Sequence, residues 1–193
     1  MAVRCARSRT PNRWWLPMSD IIRNDQVVAD DWQILQAGEG LALETPLPEG
    51  RVVVPMEFWI AHHAALIARG NVAVWLAGHE EVAELTLWLA QLPLIAVHFP
   101  KFADGRGFST AFLLRSRLGY RGELRAIGDV LPDQLFFLWR VGFNAFAVRQ
   151  DKDIHKALQC LKPFSDAYQG SWDNPEPAYR RHRRDWPAGQ HHH

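Results

Sequence analysis

The chain has 193 residues, 48% hydrophobic and 22% charged, a balance that fits one globular domain with a real core. Its net charge of +1 gives no bias toward nucleic acid or a membrane surface, and no apolar run approaches the roughly 20 residues of a transmembrane helix. Two cysteines, Cys5 and Cys160, are too few for a disulfide framework, a cysteine-built zinc site or a four-thiolate iron–sulfur cluster, so a reducing cytoplasm is the default.

Residues 1–17 carry four arginines and no acid. Trp14-Trp15-Leu16 is too short for the apolar core of a secretory signal. The segment reads as a disordered leader or a misassigned start, with the functional chain opening at Met18. Ile21-Ile22 and Val27-Val28 then flank Arg23-Asn24-Asp25-Gln26, and a small hairpin is expected there. Gln36–Gly50, with three glycines and two prolines, reads as a loop that separates this N-terminal piece from the main fold.

From Arg51 the pattern alternates. Strands are expected at Val52–Val54, Val72–Leu76, Leu94–Phe99, Leu124–Ile127 and Ala145–Val148, each an apolar or β-branched run. Helical spacing fills Met56–Arg69, Glu80–Leu92, Phe108–Leu118, a stretch from about Pro132 to Gly142, and Asp153–Leu161. Five strands alternating with five helices imply an α/β fold with a mostly parallel sheet. An open three-layer sandwich is the expected closure, and a partial βα barrel is the alternative. The single domain is placed at 18–169. Residues 170–193, with Arg180, Arg181, Arg183, Arg184 and a terminal triple histidine, read as a mobile basic tail.

In a parallel α/β sheet ligands bind beyond the carboxyl ends of the strands. The loop from Phe99 to Ser109 lies at such an end. Gly105 and Gly107 let backbone amides approach an anion, Lys101 and Arg106 add charge, and Asp104 and Ser109 complete a candidate oxyanion or phosphate site. In the simpler reading, which the local pattern favours, Asp104 or Ser109 caps the helix and the glycines only make the turn. After the next strand, Asp129 is a candidate acid/base, with Arg125 and Gln134 as further substrate contacts. Asp133 reads as a helix-dipole acid. His62, His63, His79 and His98 are scattered, so no metal site is expected, and His98 reads as a packed strand residue. Cys160 is expected to be an inert thiol. There is no GxSxG, Walker loop or dinucleotide fingerprint.

The block FPKFADGRGFS (Phe99–Ser109), followed by Leu113–Phe146, resembles an uncharacterised bacterial family whose members carry labels of oxidoreductases involved in sulfite reduction. Ile21–Leu35 and Phe164–Gly170 are similar to the same family's ends, which agrees with a start at Met18. The resemblance implies a cytoplasmic role in assimilatory sulfite or sulfate reduction, with sulfite reductase or another sulfur-assimilation protein as partner. It carries over no catalytic residue and names no cofactor.

The expected function is therefore an accessory protein of sulfite reduction that binds a small anion at the strand ends. The alternatives are a small-molecule enzyme acting on an anionic substrate through Asp129, and a non-catalytic interaction module. Neither a membrane nor nucleic acid is expected as a partner.

Overall fold

A computed structural model describes residues 15–17, 19–36, 47–78, 80–100 and 105–161. The expected leader over 1–14, the start at Met18, most of the loop before Gly50 (37–46), and the tail from 162 onward lie outside the described residues. So do Cys5, His79, Lys101 and Asp104.

The strands are β1 (Trp15–Pro17), β2 (Ile21–Arg23), β3 (Gln26–Val28), β4 (Trp32–Leu35), β5 (Arg51–Pro55), β6 (Val72–Ala77), β7 (Leu94–Phe99), β8 (Glu123–Gly128) and β9 (Ala145–Phe146). The helices are α1 (Met56–Arg69), α2 (Arg106–Phe112), α3 (Leu135–Val141) and α4 (Ile154–Leu161). β4 to β9 run parallel in sequence order, as the alternating pattern requires. The expected hairpin forms as β2–β3, and Asn24 and Asp25 both take positive φ (46° and 64°), the geometry of a type I′ turn.

Two expectations are corrected. The sheet holds nine strands among the described residues, not five, in the order β1-β4-β5-β6-β7-β8-β9-β2-β3. The additional strands come from the N-terminal piece, which is not set apart from the main fold. It supplies both edges: β4 pairs with β5 and β1 lies outside β4, while the hairpin pairs antiparallel with β9. Trp15–Pro17, at the end of the stretch read as a leader, is thus an edge strand.

The second correction concerns closure, where the sheet departs from the three-layer sandwich and comes nearer to the alternative, a partial barrel. The main core joins one face of β5–β8 to α1, α2, α3 and α4 through residues such as Val54, Val74, Val97, Ala126, Trp59, Ala111, Leu138 and Ala157. The other face has its own small cluster of strand residues, Trp32, Val53, Ala73, Leu94, Ala96 and Ile127, with no helical member among the described residues. The helices therefore form one layer, not two, and the sheet is curled like half a barrel.

Connection length explains the curl. In a flat sheet β3 and β4 would stand seven strand spacings apart, about 34 Å. Only residues 29–31 join them, and four residue steps from Val28 to Trp32 reach at most about 14 Å. The sheet must roll until its ends approach, and residues 29–31 then cross its concave side.

One charged line closes that side. Arg125 sits mid-strand on β8, fully buried, with Nη1 donating to Asp30 of the crossing segment at 2.7 Å. Its Nη2 meets Glu123 at 2.6 Å, and the other oxygen of Glu123 takes Arg23 at 2.8 Å. Burial pushes the Asp30 carboxyl above its ordinary range, and the Arg125 guanidinium opposes that rise.

Two helical stretches depart from the regular α form. Val82–Gln91, expected as an α-helix, is a 3-10 helix, and Val82, Leu85 and Trp88 at intervals of three make the core ridge that this winding needs. Leu113–Arg117 continues α2 as a π-helical turn, which brings Arg115 into the interior. There Arg115 donates to three backbone carbonyls, Tyr120 (2.7 Å), Gly122 (2.9 Å) and Gly142 (2.9 Å).

Candidate functional site

β7 and β8 are adjacent and parallel, in register to their last residues, with Phe99 opposite Gly128. The two stretches singled out in the sequence therefore leave the sheet side by side. Gly128 has φ of 93°, and a Cβ there would fall 2.4 Å from the Phe99 carbonyl oxygen. This close approach lets the Asp129 amide donate to the same carbonyl at 2.8 Å and fixes where Asp129 leaves β8.

Beyond the four residues outside the description, Gly105 is the N-cap of α2, without a side-chain cap bond. Arg106 and Ser109 are exposed on the helix, and Ser109 stands in its second turn, past any capping position. Gly107 is buried, and a Cβ on it would meet the Phe99 ring at 2.4 Å. Its smallness thus serves helix-to-strand packing. Gly107→Ala is expected to cost about 1–3 kcal/mol through overpacking. Urea unfolding checks it, and a stability equal to the parent's would show that Phe99 yields freely.

Asp129 is half-buried, and its Oδ1 accepts from Nη1 of Arg149 at 2.9 Å. Arg149 also forms a two-pronged pair with Asp151, Nε and Nη2 each donating at 2.8 Å. The two carboxylates raise the Arg149 pKa, and the same bonds hold the Asp151 carboxyl below its ordinary value. Arg149 is the residue that the sequence reading left out of the site. Its signal was the spacing Arg149-Gln150-Asp151 just after a strand, which suits a local fork.

The remaining candidates lie elsewhere. Gln134 is buried, and its side-chain oxygen accepts the Leu131 amide at 3.1 Å, closing the turn Pro132–Gln134 before α3. Arg125 belongs to the buried ion-pair line on the concave face, away from the strand ends. Asp129 is thus paired with Arg149, Gly105, Arg106 and Ser109 stand exposed at the start of α2, and Gly107, Gln134 and Arg125 have packing or pairing partners.

His98 is the last concave-facing residue of β7 before the edge. Its ring lies 5.7 Å from that of Trp75, and a Cβ at Gly128 would approach its Nε2 to 3.1 Å. Burial lowers its pKa below the ordinary 6.5. The unfolded chain then binds the proton more readily than the folded protein. Stability present above pH 6.5 is lost as the pH falls below that value. His98→Asn should flatten this part of the stability–pH curve. Urea midpoints that keep the parent's slope below pH 6.5 would count against it.

Among the described residues no helix is long and apolar enough to cross a membrane, and no three His, Cys, Asp or Glu side chains are grouped to hold a metal ion. Cys160 is exposed, as a free thiol on α4.

A curled, mostly parallel sheet with a single helical layer, and with polar side chains gathered where β7, β8 and β9 end, defines a mixed α/β protein. Residues 73–179, more than half of the chain, match the family described as bacterial proteins of unknown function (DUF934), and the chain belongs to that family. The matched region starts in β6 and includes the whole candidate edge. No curated protein and no solved structure matches the chain.

Proposed function

We propose that this protein is a cytoplasmic accessory of assimilatory sulfite or sulfate reduction, and that it binds a small oxyanion or a phosphate-bearing ligand at the carboxyl edge of β7 and β8. The observation that carries the binding part is the pairing of β7 with β8 in register to their last residues, Phe99 and Gly128, since Asp129 follows Gly128 directly and the Gly105 helix start follows Phe99 in sequence. Exposed Arg106 supplies a guanidinium suited to a tetrahedral anion. The sulfite link rests on the resemblance of the Phe99–Ser109 and Leu113–Phe146 blocks, and it suggests sulfite reductase as the partner.

Calorimetric titration with sulfite and sulfate tests the site. Saturable binding is expected in the parent, weakened at least about tenfold in Arg106→Ala, which removes one charge-assisted contact. Deletion of the gene should abolish growth on sulfate and leave growth on cysteine intact. Normal growth on sulfate would end the sulfur-assimilation reading, and unchanged affinity in Arg106→Ala would move the anion elsewhere.

A further inference from the structure

A cavity of about 390 Å³, the size of a small-molecule pocket, opens where β4 to β8 begin, at the opposite end of the sheet from Asp129. The apolar residues that open these strands, Trp32, Val72 and Leu94, are at most 5% exposed, so an incoming molecule meets little of them. The surface left to it is more polar than apolar, with Arg23, Arg51, Gln91 and Glu123 contributing.

These groups differ in how far they are already engaged. Glu123 is taken on both oxygens, Oε1 by Arg125 at 2.6 Å and Oε2 by Arg23 Nε at 2.8 Å, so it offers little repulsion to an anion. Arg23 uses only Nε there, and its two Nη groups have no partner among the described residues. The exposed Gln91 amide has none among them either. Arg51 lies over the Trp32 ring, 5.6 Å from its centre, and gives Nη1 to Asp31 at 3.3 Å. Both members of that pair are about half or more exposed, which makes it weak. A ligand carboxylate can replace Asp31 with two parallel N–H···O bonds to the guanidinium fork.

Charge decides how acidic the ligand is. Three guanidiniums (Arg23, Arg51, Arg125) stand against three carboxylates (Asp30, Asp31, Glu123) in this linked set. Displacing Asp31 makes room for one negative charge, not two. The spare donors on Arg23 and the Gln91 amide then call for hydroxyl groups rather than hydrocarbon.

We infer that this cavity is a binding site for a small hydroxylated carboxylate, its carboxylate taken by Arg51 in place of Asp31 and its hydroxyls by Arg23 and Gln91. The site is separate from the carboxyl edge and does not depend on anion binding there.

Calorimetry on the full chain tests this with gluconate as the probe, sorbitol as its uncharged counterpart and hexanoate as its apolar one. Gluconate should bind saturably, and sorbitol and hexanoate at least about tenfold more weakly. Arg51→Gln should weaken gluconate by a similar factor, and Gln91→Leu by about threefold or more. Asp31→Asn removes the competing carboxylate and should tighten binding by about two- to fivefold. All three positions are exposed, so the fold should survive each change. Arg106→Ala should leave gluconate affinity unchanged. The inference is overturned if folded parent protein takes up no gluconate, if sorbitol or hexanoate matches it, if Arg51→Gln binds as the parent does, or if Arg106→Ala is the variant that loses it.

Discussion

Arg115→Met is expected to lower stability by about 3–5 kcal/mol, because it leaves up to three buried carbonyls unanswered. The guanidinium is enclosed by the π-turn that presents it. It reaches the loop after that turn (Tyr120 and Gly122) and the end of α3 (Gly142) at 2.7–2.9 Å, and it lies 5.5 Å from the Tyr120 ring centre. Burial lowers its pKa to about 10, so it remains cationic at neutral pH and its bonds are charge-assisted. Methionine keeps much of the hydrocarbon volume and offers no donor. Lysine keeps the charge but lacks the planar fork that serves both sides at once, so Arg115→Lys is expected to recover only part of the loss. Urea unfolding gives the answer. A drop of less than about 1 kcal/mol for Arg115→Met would mean that water or a neighbour replaces the bonds.

Asp30→Ala is expected to cost about 3–5 kcal/mol, since it takes one of two carboxylate partners, Asp30 and Glu123, from the Arg125 charge in a site with no solvent access. Both side chains are 0% exposed, and their 2.7 Å contact ties the crossing segment to β8. The decisive comparison is the paired replacement. Asp30→Leu with Arg125→Met removes both charges, and it should be far less damaging than Asp30→Ala alone, because the desolvation of two ions disappears with their attraction. A double-mutant cycle reads the coupling directly. Equal losses for the single and the paired variants would show that Arg125 keeps its stability through Glu123 alone.

Both effects rest on charged residues inside the protein, and both were partly legible in the sequence. In Glu123–Gly128 the period of two sets Leu124 and Ala126 on one face and Glu123, Arg125 and Ile127 on the other, so Arg125 had to lie mid-sheet. Reading it as a strand-end ligand contact passed over that alternation. Arg115 stands in the same helical stripe as Ala111 and Leu118, a spacing that signals an inward cation. The alternating core from Arg51 to Leu161 was readable because each run needs only local periodicity. β1 and β4 were not, because three- and four-residue strands become strands only through partners distant in the chain. The curl was hidden for the same reason: no residue pattern says that β3 and β4 stand seven places apart in one sheet. At the carboxyl edge the sequence put the Gly105–Ser109 turn after β7 and Asp129 after β8, and those strands pair, but it held no sign that Gly107 answers to the Phe99 ring.

The order in which the strands are satisfied has a kinetic meaning. The hairpin β2–β3 is made early in synthesis, yet its sheet neighbour β9 is encoded some 120 residues later. Until Ala145 and Phe146 are in place, the hairpin has no docking partner in the sheet, and the crossing at Asp30 has no Arg125 to hold it. Contacts of such long sequence separation slow folding and leave edges exposed meanwhile. This early hairpin acts as a late latch, and a nascent chain halted before β9 would present an unclosed sheet to whatever else is nearby.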